Sequence, residues 1–110
     1  MTCDSTWQWV GGANKNRGPT AAVTYEWMEQ CAPYAAHVRA KFFMVAEERR
    51  ESWLDYERIV RILDAAGFNG TLGIVFEGGD VNQGISDREV FAIAAAELQQ
   101  LTAAWKPPRL

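Results

Sequence analysis

The chain has one histidine, two cysteines and four prolines among its 110 residues, and none of its apolar runs is long. The longest, Val90 to Ala96, stops at seven residues, far below the roughly 18 that a membrane-spanning helix needs. No transmembrane helix is expected. Cys3 and Cys31 match no paired-cysteine zinc spacing, and in a reducing compartment two such thiols are more often buried side chains than a disulfide. Positive charge is also scarce, with 11 Lys plus Arg against 14 Asp plus Glu for a net -3. Such a chain has no general attraction for polyanions, so nucleic acid is not expected as a partner. A secretory signal needs a basic start and an apolar stretch, where this chain places Asp4, Ser5 and Thr6. The expected location is the cytoplasm, with no membrane partner.

What is present is a folding composition, 48% apolar and 23% charged, at a length that allows one compact domain. Three short apolar segments are each followed by helical periodicity, the signature of a parallel α/β sheet. The first strand spans Met1 to about Thr6 and starts with no lead-in, which reads as a segment cut from something longer. A glycine-rich, basic loop from Gly11 to Pro19 follows. Thr20 can then cap a helix carrying Val23, Trp27, Met28 and Cys31, which Pro33 ends.

The second strand, Ala35 to about Val45, alternates. Ala36, Val38, Ala40 and Phe42 fall on one face and His37, Arg39 and Lys41 on the other. The charged run Glu47 to Glu51 reads as a solvated loop with local ion pairs of little energy. Asp55 is placed to cap a helix with Tyr56, Ile59, Val60, Ile62, Leu63 and Ala66 as its apolar stripe, and Gly67 to stop it. The third strand runs from Thr71 to Glu77. Leu72, Ile74 and Phe76 lie on one face, with Thr71, Gly73, Val75 and Glu77 on the other. Ser86 and Glu89 form a capping box for a last helix reaching about Ala104, with Val90, Phe91, Ala94, Leu98 and Leu101 as its buried side. Pro107 and Pro108 make residues 105–110 a non-helical tail. Gly11-Gly12 and Gly78-Gly79 lack the spacing of a phosphate-cradling loop and read as turns.

The strings Ala32-Pro33-Tyr34-Ala35-Ala36-His37-Val38-Arg39-Ala40-Lys41-Phe42-Phe43, Leu54-Asp55-Tyr56-Glu57-Arg58-Ile59-Val60-Arg61-Ile62-Leu63 and Ala66-Gly67-Phe68-Asn69-Gly70 resemble the C-terminal part of the sugar phosphate isomerase/epimerase family, the xylose isomerase-like TIM barrels. The resemblance runs from Asp4 to about Leu101. It implies three consecutive βα units, the last three of a (β/α)8 barrel of roughly 250 residues, with helices on one face of parallel strands. Residues 1–104 would then be a partial barrel and 105–110 its tail.

The family works with a divalent metal (Mn, Mg or Zn) that polarises the sugar while carboxylates move a proton. The resemblance places a metal-ligand aspartate at Asp4. Where the family reads His-x-His-x-Lys, with the second histidine as ligand, this chain has His37-Val38-Arg39-Ala40-Lys41. Where the family reads Ile-Glu-Tyr-Glu-Gly, with the first glutamate as ligand, it has Ile74-Val75-Phe76-Glu77-Gly78. Arg39 and Val75 cannot donate a lone pair to a metal. The chain alone is therefore expected to hold no metal cofactor and to turn over no substrate.

Several residues keep two readings. Glu77, at the loop end of its strand, is either a catalytic carboxylate or a glutamate bonded to the following turn. His37 is either a proton shuttle or a hydrogen-bonded packing residue. Arg39 and Lys41 either bind a substrate phosphate or carboxylate, or serve as an ion-pair member and a solvated lysine. Trp7, with Trp9, either stacks on a sugar ring or packs against other barrel parts. Two functions follow as expectations. The chain is a C-terminal piece of a sugar isomerase or epimerase, inactive without the other units. Alternatively, it is a self-associating binding module that holds a sugar acid or phosphate. The partners implied are a sugar or sugar phosphate, and either further copies of the chain or a polypeptide supplying the missing units.

Overall fold

A computed structural model of the chain describes residues 2–4, 21–76 and 82–105, with side chains from 25 onward. Strand β1 (Thr2–Asp4) is followed by helix α1 (Ala21–Cys31), a 3-10 turn (Ala32–Tyr34) and strand β2 (His37–Phe42). Helix α2 (Tyr56–Ala65), strand β3 (Thr71–Phe76) and helix α3 (Asp87–Thr102) complete the order. The fold is mixed α/β. Its three strands are parallel and lie in the order β1-β2-β3, so each βα step moves one strand along the sheet. The register pairs Asp4 with Arg39 and Arg39 with Gly73; His37 pairs with Thr71, and Lys41 with Val75.

Alternation in β2 is as the sequence indicates. Val38, Ala40 and Phe42 are buried, whereas Arg39 is exposed and His37 and Lys41 are half-buried. The buried row meets the helices. Phe42 stacks on Tyr56 of α2 with centroids 4.6 Å apart, and β3 contributes Phe76, edge-on to Phe91 of α3 at 6.3 Å. Because α1 packs on α2 and α2 on α3, the three helices form one layer. The strand ends are shorter than expected, since β2 starts at His37 and leaves Ala36 exposed.

Local chemistry sets the helix limits. Asp55 caps α2 by accepting from the Arg58 N–H at 3.2 Å, satisfying one of the four donors a helix start leaves unpaired. The helix ends where Gly67 turns left-handed at φ +72. There the Phe68 N–H reaches back to the Leu63 carbonyl at 3.0 Å, a closure that glycine permits without a Cβ clash. Ser86 caps α3 through its Oγ, which accepts from the Glu89 N–H at 3.2 Å. The expected reciprocal role of Glu89 differs, because its carboxylate lies 3.4 Å from Arg49 Nη1.

Two helix faces depart from expectation. In α1 the core takes Tyr25 and Met28, together with Ala32, whereas Trp27 is 37% exposed. Positions 25, 28 and 32 share one stripe, and a residue two places on from Tyr25 points away from it. In α3, Ile93 is buried with Val90, Ala94 and Leu98, while Phe91 is 43% exposed and reaches the core by its ring edge. Trp105 follows the end of α3 and packs edge-on against Phe68 at 6.4 Å. Cys31 is a free, half-buried thiol. Among the described residues no helix is long and apolar enough to cross a membrane.

Candidate functional site

The sheet face turned away from the helices carries the residues that the sequence singles out on β2. His37 stands at the start of the strand, Arg39 in its middle and Lys41 one residue before its end. At about 3.3 Å per residue, His37 and Lys41 are separated by about 13 Å along the strand. His37 Nδ1 lies 2.6 Å from Thr71 Oγ1, a contact in which either group can donate, according to the imidazole tautomer. The ring then lies over Gly73: a Cβ there would sit 2.9 Å from His37 Cε1 and 3.2 Å from Nε2. Gly73 therefore leaves room for the imidazole, and Thr71 fixes it. Neither role is evident from the sequence, where both residues are simply strand positions.

Arg39 is exposed and has no ion pair among the described residues. Its register neighbours are Asp4 on β1 and Gly73 on β3, so a residue with no side chain flanks the guanidinium on one side. Lys41 lies one pleat repeat nearer the loop end, beside Val75. The arrangement offers two cations on neighbouring rows of one sheet face. Such a pair can hold an anion, with the Arg fork making paired hydrogen bonds and the Lys ammonium acting as a point charge. Arg39 lies midway between His37 and Lys41 along β2, two residues from each and on the same face of the strand. Glu77 and Trp7 lie outside the described residues, as does the side chain of Asp4.

The divalent ion implied by the family resemblance does not fit the residues present. On this face Arg39 and Val75 occupy two of the expected ligand positions, and neither has a lone pair to donate. Among the described residues, no three His, Cys, Asp or Glu side chains gather as a metal-binding group.

Past the end of β2, the sequence expectation needs correction. Glu47, Glu48, Arg49 and Arg50 are exposed, and Arg50 pairs loosely with Glu48 at 3.7 Å. Glu51, however, is 0% exposed. Its Oε1 accepts from the Phe43 N–H at 2.5 Å. Its Oε2 accepts from the N–H groups of Trp53 at 2.8 Å and Leu54 at 2.9 Å. The cause is geometric: once β2 ends, the backbone beyond Phe42 has no strand partner among the described residues, and an unpaired buried N–H is costly. A carboxylate with two acceptor oxygens meets that need, along with two donors at the approach to α2.

Asn82 completes the arrangement from the segment before α3. Its Oδ1 accepts from Val45 at 2.8 Å and Ala46 at 3.0 Å, and its Nδ2 donates to the Phe43 carbonyl at 2.5 Å. The side amide thus substitutes for a neighbouring strand. Burial, above all, pushes the Glu51 carboxyl up to about 7; the three N–H bonds oppose the shift and the nearby Glu97 charge adds to it. Sequence reasoning missed both residues. The one available signal was a carboxylate three residues before Leu54 and an asparagine before a cap serine, each also common in solvated loops.

A separate cavity of about 530 Å3 opens on the helix side, with Arg49, Tyr56, Ile93 and Glu97 in its walls. It does not include the cationic sheet face. No protein-family model matches the chain, and no curated protein matches it.

Proposed function

We propose that the chain forms three consecutive βα units of a (β/α)8 barrel of the sugar isomerase and epimerase type. In this reading its sheet face holds the phosphate or carboxylate of a sugar through Arg39 and Lys41, without a divalent ion. The observation that carries the reading is the strand order β1-β2-β3, all parallel, with consecutive helices packed on one another in a single layer. A doubly wound sheet reverses its strand order and places helices on both faces. A barrel keeps the order consecutive and all helices outside, leaving the other sheet face for the interior.

In the barrel, Lys41 stands towards the C-terminal end of its strand, the end that bears barrel chemistry. Arg39 supplies there a fixed positive charge where the family resemblance expects a metal ligand. His37 bonds Thr71 at the opposite end and positions the strands rather than touching substrate. The remaining strands come from further polypeptide or from other copies of the chain. Turnover depends on them, because three strands give only part of an enclosing wall.

The test is a calorimetric titration of the purified chain with a pentose phosphate in the presence of a chelator. Binding is expected to persist without metal and to weaken about tenfold or more in Arg39→Ala and in Lys41→Ala, since each variant loses a charge-assisted hydrogen bond. Binding that appears only with added manganese, or that both variants retain in full, contradicts the reading.

A further inference from the structure

Helix α2 carries two arginines, Arg58 and Arg61, and Ile62 and Ala65 continue the same stripe at helical spacing. That stripe faces α1, because the Arg58 guanidinium lies 4.5 Å above the Tyr25 ring. The ring is itself held, its hydroxyl accepting from the Asp55 N–H at 3.0 Å, so Arg58 rests on a fixed support. Beside this contact, between the two helices, a second cavity of about 530 Å3 has both arginines in its wall. It is distinct from the cavity at Glu97 and from the sheet face bearing Arg39.

The walls divide by chemistry. Pro33 of the 3-10 turn, with Ile62, Ala65 and Ala66 of α2, gives an apolar floor, and the two alanines, each ending in a single methyl, leave the space above them open. Arg58 and Arg61 supply two permanent positive charges, since a guanidinium keeps its proton in a protein. Among the described residues, Glu29 of α1 is the one acid in the wall, and none of these three has an ion pair. Two cations against one carboxylate leave an excess of one positive charge. A single carboxylate on a ligand balances it, whereas a phosphate monoester brings about -1.5 to -2 near neutral pH and leaves Glu29 facing surplus negative charge. The floor calls for an apolar body, because covering it removes apolar surface from water. A further hollow of about 300 Å3 shares Pro33 and Ala66 and runs on to Phe68, giving room for a longer body.

We infer that the cleft between α1 and α2 is a binding site for a small apolar carboxylate. The forks of Arg58 and Arg61 hold its carboxylate, and its hydrocarbon or aromatic part lies on Ile62, Ala65 and Ala66. The Tyr25 ring orients Arg58 beforehand, which lowers the entropy lost when the ligand arrives. The site lies on the helix side and does not depend on the barrel reading.

The test is nuclear magnetic resonance on the full, isotope-labelled chain, titrated separately with benzoate, benzamide and inorganic phosphate. Benzoate is expected to move the Nε–H signals of Arg58 and Arg61 and the amides of Ala65 and Ala66 along one saturating curve. Benzamide, of the same shape without the charge, should bind about tenfold more weakly or worse. Arg61 is exposed, so Arg61→Ala leaves the core intact and should weaken benzoate about tenfold or more. Arg88→Ala, which removes an exposed charge from α3, should leave benzoate binding as in the parent. Shifts that grow without saturating, benzamide or phosphate binding as tightly as benzoate, or an Arg61→Ala chain that binds like the parent overturns the site.

Discussion

Gly70 lies where the chain enters β3, and its neighbour is backbone rather than a movable side chain. A Cβ there would sit 1.9 Å from the Ala36 carbonyl oxygen and 2.6 Å from its carbon. Gly70→Ala therefore forces the start of β3 away from β2. Overpacking of this kind costs about 3 kcal/mol, expected as a lower urea midpoint at unchanged slope. Asn82→Ala tests a different cost, since it leaves Val45 N–H, Ala46 N–H and the Phe43 carbonyl without their amide partner. A loss of about 3 kcal/mol is expected, because buried polar groups left unpaired cost about 1–3 kcal/mol each and relaxation recovers part of that. A thermal midpoint within a degree of the parent would contradict the assigned role of Asn82. Neither Asn82 nor Glu51 is legible from sequence: the backbone groups that Asn82 holds lie far back along the chain, and Glu51 adds to two near donors the Phe43 N–H across the turn of the loop, a closure that no local pattern marks. Arg39 and Lys41 are legible, since the two-residue period of a strand by itself places them on one face.

At the scale of the element, capping and periodicity carried most of the reading. Asp55, Gly67 and Ser86 each act where the sequence places them, because caps are decided by bonds spanning three to five residues. Ser86→Ala should cost about 1 kcal/mol, visible as a matching drop in chemical-denaturation stability with no change in helical circular dichroism below the transition. The misassigned faces have a common cause. Trp27 and Phe91 are large and apolar, yet they sit at the margin of their helix stripes, while Tyr25 and Ile93 fall inside them. Hydrophobicity alone favoured the larger side chain, and geometry favoured the other. Tyr25 is held further by its hydroxyl, which accepts from the Asp55 N–H at 3.0 Å, and by the Arg58 guanidinium 4.5 Å above its ring. Tyr56 joins two elements in the same way: its ring stacks on Phe42 and its hydroxyl donates to the Lys41 carbonyl at 2.5 Å. Tyr56→Phe keeps the stack and removes the bond, so about 1 kcal/mol should be lost, read as a shift in the unfolding midpoint.

For the whole molecule, a parallel α/β arrangement was legible from three apolar segments alternating with helical periodicity, and the consecutive strand order then limits what the sheet can belong to. Among the described residues, β1 and β3 each pair with β2 alone, so each has an edge with unpaired backbone groups, a template for further strands. Among the described residues, the face bearing Arg39 and Lys41 has no helix layer over it. In the function proposed above, this sheet is part of a larger closed wall. Sedimentation equilibrium of the purified 110-residue chain tests it most directly. A mass well above the 12.3 kDa of one chain is expected, because copies cover the edges when no other polypeptide is present. A monodisperse 12.3 kDa species that unfolds cooperatively would mean that the three units suffice alone, and would contradict the barrel assignment.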